Sequence, residues 1–297
     1  MKNDQQALLL GLSAVLLWST VATAFKVALT YLSPLELVWL AAFFSWLLMT
    51  IFLWSSHRLR EAAKSHWHTA LWTGVMNPVV YYLILLVAYD RLQGQEAMAL
   101  NYTWALTMSL LAVPILGHRL TRKDFTAGLV AYAGVLVIAT RGDIVSMNFS
   151  DSLGVAMALL STFLWALYWL VNTRDSRPAL IAQWQNFSVA VPVLTILVLS
   201  LSDWKSLSLA GIVAGSYVGI FEMGLAFILW QTAMKKSTKT AQISCLIFLA
   251  PPISLVLLYF VVGEPLLFST FLGLAMILCG LALQQIQFTK VSNNQKA

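Results

Sequence analysis

Charged residues are scarce in this sequence. Only 10% of its 297 residues are Asp, Glu, Lys or Arg, whereas 60% are hydrophobic. An ordinary soluble domain has about 25% charged and about 45–50% apolar residues, so this composition excludes a protein whose whole surface faces water. Ten membrane spans of roughly 20 residues each would use about 200 residues and leave the rest for loops and tails. No second, soluble domain is expected.

Cysteines, clustered metal ligands and a phosphate-binding loop are also lacking. The two cysteines, Cys245 and Cys279, lie in apolar runs and do not suggest a disulfide framework. The four histidines lie at expected cytoplasmic ends of spans, where they form no zinc-binding pattern. They are His57, His66, His68 and His118. No P-loop motif is present, which argues against ATP hydrolysis by this chain, and no cofactor is expected.

A nucleic-acid partner is not expected either, although the formal net charge is +6. The basic residues form short clusters between apolar runs, which is the pattern of membrane-topology signals. The amino terminus reads MKNDQQALLLGLSAVLLWSTVATAF, and its apolar run is longer than the core of a signal peptide. We therefore expect this segment to be the first span and not a cleaved leader.

Turn and charge signals divide the apolar sequence into ten stretches. Three of the breaks place a proline near a helix start, at Pro34, Pro178 and Pro265, where its missing N–H costs little. The expected spans are 7–28, 34–54, 68–88, 95–115, 123–140, 152–172, 179–200, 209–232, 240–262 and 267–287. The expected fold is an all-α integral membrane protein with ten transmembrane helices.

The basic residues also set the expected orientation, because Lys and Arg stay on the cytoplasmic side. If the amino terminus is cytoplasmic, 14 of the 18 Lys and Arg residues fall on the inner side. Only Arg91, Arg141 and Lys205 then lie in outer loops, and Lys26 lies within a span. We therefore expect both termini in the cytoplasm.

Pairs of identical residues recur 146 or 147 positions apart. They are Gly117 and Gly263, Phe125 and Phe271, Gly134 and Gly280, and Trp18 and Trp165. This spacing predicts two five-helix repeats, residues 1–145 and 146–297. An odd number of spans inverts the second copy, which is the plan of many secondary transporters.

Two ionisable side chains, Lys26 and Glu222, stand out within the expected spans, where insertion of a charge costs about 2.5–3.5 kcal/mol at the helix centre. Glu222 is in the middle of span 8, and Asn77, 145 positions earlier, is its counterpart in span 3. Polar groups at matching depths in inverted copies would face each other across the pseudo-symmetry axis, where such proteins bind substrate.

Glu222 and Lys26 each have more than one interpretation. Glu222 is a ligand for a substrate amine or a protonatable coupling site, or it is a neutral, hydrogen-bonded residue that only joins helices. Lys26 lies about one turn from the outer end of span 1. It extends its amine towards the interface, or it binds a carboxylate or pairs with Glu222.

Aromatic residues are abundant, and several lie deep within spans. The deep rings are Trp18, Trp104, Trp165, Tyr81, Tyr82, Tyr102 and Tyr168. A cavity lined by such rings favours apolar or aromatic substrates and, through the ring faces, cations. For any single ring, ordinary helix packing is the alternative interpretation.

Three stretches resemble the EamA-type members of the drug/metabolite transporter superfamily. They are GLSAVLLWSTVATAFKVAL near the amino terminus, GHRLTRKDFTAGLVAYAGVLVI at spans 4 to 5 and GEPLLFSTFLGLAMILCGL at spans 9 to 10. A fourth, AMALNYTWAL, is similar to the Asn-Tyr-x-Trp-Pro segment of the superfamily's aromatic amino acid exporters, with Ala105 in place of the proline. The turn that begins at Gly117 in the first half lacks the glutamate found at Glu264 in the second.

The resemblance implies a secondary transporter of the inner membrane that exports an amino acid or a related small metabolite by alternating access. It also places Asn101, Tyr102 and Trp104 near the substrate cavity. The complete expected substrate-binding set is Glu222, Asn77, Asn101, Tyr102, Trp104, Trp18, Tyr82, Lys26 and Trp165.

The expected partners are a small-molecule substrate and the lipid bilayer, with protons as the candidate coupling ion. Ten helices suffice for a monomer, and the sequence sets no oligomeric state. A membrane channel or a structural subunit is an alternative function. A membrane-embedded enzyme is another, but it needs converging acid, base or metal ligands, and the sequence offers none.

Overall fold

The computed structural model describes residues 2–64, 67–116, 122–146, 151–172, 175–202, 208–237, 243 and 246–294. Within these ranges the chain is helical and has no strand, which confirms the expected all-α class. The apolar helices are numbered here in chain order, and several consist of two or three consecutive pieces. They are α1 (Lys2–Ser19 and Val21–Leu29), α2 (Pro34–Ser55), α3 (Trp67–Gly74, Val75–Val80 and Tyr81–Arg91), α4 (Gly94–Asn101 and Trp104–Leu116), α5 (Arg122–Ala139), α6 (Ser152–Asn172), α7 (Ala179–Leu201), α8 (Leu209–Tyr217, Val218–Leu225 and Ala226–Lys236), α9 (Leu246–Leu249, Ala250–Leu257 and Leu258–Val262) and α10 (Phe268–Asn294). A short helix, Leu59–Lys64, lies between α2 and α3.

Seven of the described helices are long and apolar enough to cross a bilayer, namely α1 to α4 and α6 to α8. The other three have shorter apolar stretches, Phe125–Ala139 in α5, Leu246–Val262 in α9 and Phe268–Gly280 in α10. The chain is therefore a multi-pass membrane protein, and ten crossings stay a prediction. Some residues of the sequence argument lie outside the described ranges, including His66, Gly117, His118, Lys205, the expected start of span 9 at residue 240, and Cys245.

Helix α2 begins where the sequence supplies a complete N-terminal cap. The Ser33 hydroxyl accepts a hydrogen bond from the Glu36 N–H at 3.3 Å, and the Glu36 carboxylate accepts one from the Ser33 N–H at 2.9 Å. Pro34 occupies the first turn, where no intrahelical N–H is required. Pro265 behaves differently, because α10 begins three residues later, at Phe268.

The helices pack in long pairs, with α5 along α10, α1 along α8, α6 along α3 and α2 along α7. Glycines make the α5–α10 contact very close. A Cβ added at Gly134 would lie 2.5 Å from the Gly273 carbonyl oxygen, and one at Gly280 would lie 2.7 Å from the Ala127 carbonyl oxygen. The two backbones therefore touch directly, as small residues permit between membrane helices.

Three helices contain π-helical turns, which lie at Val75–Val80 in α3, Val218–Leu225 in α8 and Leu258–Val262 in α9. The first turn contains Asn77, whose φ of −145° and ψ of 116° are not helical, and the second contains Glu222. Such turns are rare and are frequent at functional sites. They single out the middle of α3 and of α8.

Candidate functional site

Glu222 and Tyr82 form a buried hydrogen-bonded pair between α8 and α3. The Tyr82 hydroxyl donates to Glu222 Oε1 at 2.8 Å, and the two residues are 7% and 2% exposed. The second carboxyl oxygen, Oε2, has no hydrogen-bond partner among the described residues. A buried polar atom without a partner costs about 1–3 kcal/mol. This oxygen is therefore a suitable place for a ligand's donor group or for a proton.

Aromatic rings surround this pair and connect four helices. Tyr81, which neighbours Tyr82 at 4.8 Å between ring centroids, stacks on Trp165 of α6 at 4.5 Å. Trp18 of α1 meets Phe227 of α8 edge-on at 5.4 Å. Trp165 and Phe227 are 6.1 Å apart and join the two ring pairs. Three rings of the expected set, from α1, α3 and α6, thus lie in one continuous cluster.

Asn77 lies five positions before Tyr82 on the same helix. It is 3% exposed, and its Oδ1 has no hydrogen-bond partner within the described chain. Its π-helical turn packs against α7. The described contacts do not join Asn77 to Glu222, so their opposition across a symmetry axis stays a prediction.

The Asn-Tyr-x-Trp segment forms the break in the middle of α4. Asn101 Nδ2 donates to Ser161 Oγ of α6 at 3.0 Å, and the Asn101 side chain also interacts with the Tyr81 hydroxyl. Tyr102 and Trp104 pack against the main hydrophobic core. Asn101 therefore lies beside the ring cluster, and a substrate role for the three residues stays a prediction.

Lys26 of α1 lies away from the ring cluster and contacts the end of α3. Its Nζ donates to the carbonyl oxygens of Tyr89 and Leu92 at 2.9 and 3.0 Å. The last carbonyls of a helix have no intrahelical partner, so the lysine satisfies groups that would otherwise lack one. Tyr89 is about two helical turns beyond Tyr82. The ion pairs of the described residues do not include one between Lys26 and Glu222.

A cavity of about 150 Å³ lies at the opposite end, between the end of α6 and the start of α7. Its wall includes Tyr168, Trp169 and Phe227, and Trp165 contacts all three rings. The cavity therefore reaches the ring cluster. The expected orientation places this end on the cytoplasmic side.

An ion pair that is missing from the expected set forms another part of the cavity wall. Arg177 Nη2 and Asp175 Oδ2 are 2.6 Å apart, with side chains only 3% and 8% exposed, and Arg177 Nη1 donates to Gln185 of α7 at 2.7 Å. Burial favours the neutral acid, but the hydrogen bonds and charge of Arg177 outweigh it and hold the pKa of the Asp175 carboxyl below its ordinary value. The signal for this pair in the sequence is an acid and a base just before Pro178, at a helix start.

The cluster offers hydrogen bonding and ring faces as its chemistry. A carboxyl group with an available oxygen can bind an ammonium group, and the surrounding rings attract cations through their faces. No group of three or more His, Cys, Asp or Glu side chains in the described part of the chain could hold a metal ion. The arrangement is suited to binding a small molecule or holding a proton.

Comparisons with known proteins give matches along most of the chain. The model of the EamA-like transporter family matches twice, at residues 5–140 and 152–284. The aromatic amino acid exporter YddG of Salmonella typhimurium (strain 14028s / SGSC 2262) is 25% identical over 289 residues, which is 94% of this chain and 96% of that protein. The uncharacterized transporter YyaM of Bacillus subtilis (strain 168) is 25% identical over 195 residues, which is 63% of this chain and only 62% of that protein. A crystal structure with 22% identity covers 97% of this chain and 99% of its own chain with a TM-score of 0.67, and it supports the fold alone.

Proposed function

Because the chain belongs to the EamA-like transporter family, we propose that it is a secondary transporter that exports a small metabolite from the cytoplasm by alternating access. The substrate class is an amino acid or a related compound, and the membrane is the inner membrane. YddG, which is named as an aromatic amino acid exporter and aligns along nearly its whole length, supports both the direction and the class.

Two inverted repeats are part of this proposal, and the helix packing supports them. If the two halves are related by a repeat, each helix of α1–α5 corresponds to the helix five places later, so that α1 corresponds to α6 and α3 to α8. The packed pair α1–α8 then has the packed pair α6–α3 as its counterpart, and the pairs α2–α7 and α5–α10 are their own counterparts. Single contacts follow the same rule. The Gly134–Gly273 contact becomes the Gly280–Ala127 contact when each residue is moved by 146 positions. The twofold family match agrees with this division.

The ring contacts also correspond between the two halves, which supports a substrate site at the centre of the ring cluster. Trp18 pairs with Phe227, and Trp165 pairs with Tyr81. Trp165 follows Trp18 by 147 positions and Phe227 follows Tyr81 by 146, so each ring pair is the counterpart of the other. Substrate sites of inverted-repeat transporters lie at the interface of the repeats. The observation that carries the proposal is the carboxyl group of Glu222 beside these rings, with one oxygen that has no hydrogen-bond partner among the described residues.

The two ends of the molecule differ, which supports an inward-facing conformation. At the expected outer end, Glu96 pairs with Arg141 at 2.7 Å and Asp151 pairs with Arg91 at 2.9 Å. At the expected inner end, the cavity between α6 and α7 extends to the rings. This difference supports access to the site from the cytoplasmic side in this conformation.

Transport by purified protein in liposomes tests the function. Labelled amino acids and the corresponding amines are offered with and without an imposed pH gradient. The parent protein is expected to give saturable, competable flux, and a proton gradient is expected to accelerate it. Glu222→Gln keeps the size and a hydrogen-bond acceptor but cannot carry the charge, so it is expected to lose the acceleration.

The matched control is Glu61→Gln, which removes an exposed carboxylate paired with Arg58 at 2.9 Å on the short inner helix. It is expected to transport like the parent. Full gradient-driven transport by Glu222→Gln would contradict a coupling role for this residue. Flux without saturation would indicate a channel, and no flux for any compound would favour a structural role.

A further inference from the structure

The junction between α3 and α4 is tied to the turn between α9 and α10. The Glu264 carboxylate accepts hydrogen bonds from the backbone N–H groups of Gly94 at 2.7 Å and Gln95 at 3.2 Å. In return, Gln95 Nε2 donates to the Pro265 carbonyl at 2.6 Å and its Oε1 accepts from the Leu267 N–H at 3.3 Å. Four hydrogen bonds thus connect the two halves of the chain at the expected outer end.

Lys26 holds the same junction from α1. Its amine donates to the carbonyl oxygens of Tyr89 and Leu92. Gly94 lies between the two charged side chains, since a Cβ there would be 2.9 Å from Lys26 Cγ and 3.4 Å from Glu264 Oε1. A cation at the end of α3 and an anion at the start of α4 are the charges that the helix dipoles favour there. Two matched charges therefore fix the junction on both sides.

The burial of Glu264 makes this contact costly to break. The residue is only 8% exposed, and hydrogen bonds to an ionised group are roughly twice as strong as neutral ones. Moving the junction away from the turn leaves a buried carboxylate without its two donors. The protein must provide other donors or admit water before the outer end can open.

We propose that Glu264, Gln95 and Lys26 form the clamp that closes the outer gate of the transport cycle. This inference rests on the alternating-access function proposed above. The clamp breaks when the central site opens outward and forms again when the site opens to the cytoplasm. The sequence position that matches Glu264 in the first half is His118. It carries no carboxylate, so the two gates differ chemically, and the clamp biases the resting protein towards the inward-open state.

Distances between two spin labels measure this gate without any substrate. In a variant whose two cysteines are replaced by alanine, new cysteines at Asp90 and Phe268 carry the labels, because both positions are exposed beside the two tied elements. The full chain is studied in lipid nanodiscs by pulsed electron paramagnetic resonance. The parent is expected to give one dominant short distance.

Removing the carboxylate is expected to open the gate. In Glu264→Ala, the ratio of a longer to the short distance rises at least about tenfold, because two hydrogen bonds to a charged group are lost. Glu264→Gln, which keeps one acceptor oxygen, and Gln95→Ala are expected to give smaller rises in the same direction. Asp143→Asn removes an exposed carboxylate at the same expected end that, among the described residues, bonds only to Ser146, three positions along the chain. It is the matched control and is expected to match the parent.

Two results would overturn the clamp. One is a parent-like distance distribution in every Glu264 variant that still elutes as a folded protein. The other is an equal shift in Asp143→Asn. Because the labels report the gate in the absence of transport, a protein without any measurable flux but with a Glu264-dependent opening would contradict the transport function and leave the clamp intact.

Discussion

Two glycine substitutions on α5 should change stability in opposite directions. Gly134 and Gly128 lie on the same helix, six positions apart. A Cβ at Gly134 would lie 2.5 Å from the Gly273 carbonyl oxygen and 3.0 Å from Met276 Cβ of α10, whereas a Cβ at Gly128 would meet nothing within 4 Å. Alanine at the first position therefore forces two helices apart, and alanine at the second does not.

The expected magnitudes follow from these distances. Overpacking a well-packed contact costs about 1–3 kcal/mol, and the obstacle at Gly134 is backbone, which cannot rotate away as a side chain can. At Gly128 alanine only reduces the freedom of the unfolded chain, which stabilises a helix by about 0.5–1 kcal/mol. Gly134→Ala should therefore lower the free energy of unfolding, and Gly128→Ala should leave it unchanged or raise it.

Thermal unfolding of the purified variants in one detergent measures the difference. The midpoint of Gly134→Ala is expected to fall by on the order of 2 to 6 °C relative to the parent, and that of Gly128→Ala is expected to stay level or rise. Gly273→Ala, on the other side of the same contact, should behave like Gly134→Ala. Equal midpoints for Gly134→Ala and Gly128→Ala would refute the direct backbone contact between α5 and α10.

Three further predictions concern the site and the ends of helices. Tyr82→Phe removes the one protein donor described for Glu222. It should raise the KM for substrate about tenfold or shift the pH dependence of transport, measured as KM and as flux against pH. An unchanged KM and an unchanged pH profile would exclude the pair from the site. Asp175→Asn leaves the buried Arg177 without its carboxylate and should cost about 3–5 kcal/mol of stability. Because the pKa of Asp175 is lowered in the folded protein, the stabilisation by this pair is present at neutral pH and is lost as the pH falls below about 4. The variant should therefore lose less stability on acidification than the parent. Ser33→Ala removes the hydroxyl of the α2 cap and should cost about 1 kcal/mol in the same thermal assay, and no change in midpoint would contradict the cap.

The helices could be predicted from the sequence because their signals are local. Spanning requires a continuous apolar stretch, and Ser33-Pro34 marks the start of α2 in the sequence and in the structure alike. The expected start of the last span, residue 267, lies one residue from the start of α10 at Phe268, but the contacts of the turn before it could not be predicted in this way. Residues 263–267 are not helical, because Glu264 and Pro265 are engaged with Gln95, about 170 positions earlier, and no local pattern shows a contact over that distance.

The residues of the candidate site could be predicted in part, because their signals are local, but the contacts between them could not. Glu222 stands out in the sequence because a carboxyl group within an apolar run is costly, and Tyr82 and Trp165 stand out as aromatic residues deep within expected spans. The ring contacts depend on which helices become neighbours, as in the pairing of α6 with α3. Lys26 is the clearest case. Its position in the sequence predicts an amine that reaches the membrane interface or binds a carboxylate, whereas its partners in the structure are backbone carbonyl oxygens at the end of α3.

The two halves share their packing residues but differ in their charges. Under the proposed exchange, glycine matches glycine at Gly134 and Gly280, but Glu222 matches Asn77 and Glu264 matches His118. Two carboxylates at symmetric positions beside the axis would repel each other in a medium of low dielectric constant, and one would have to stay protonated. A single carboxylate avoids this repulsion and leaves its charge free to respond to substrate or to a proton. In this proposal, duplication accounts for the close helix contacts, and the positions at which the two halves differ carry the candidate site and the proposed outer gate.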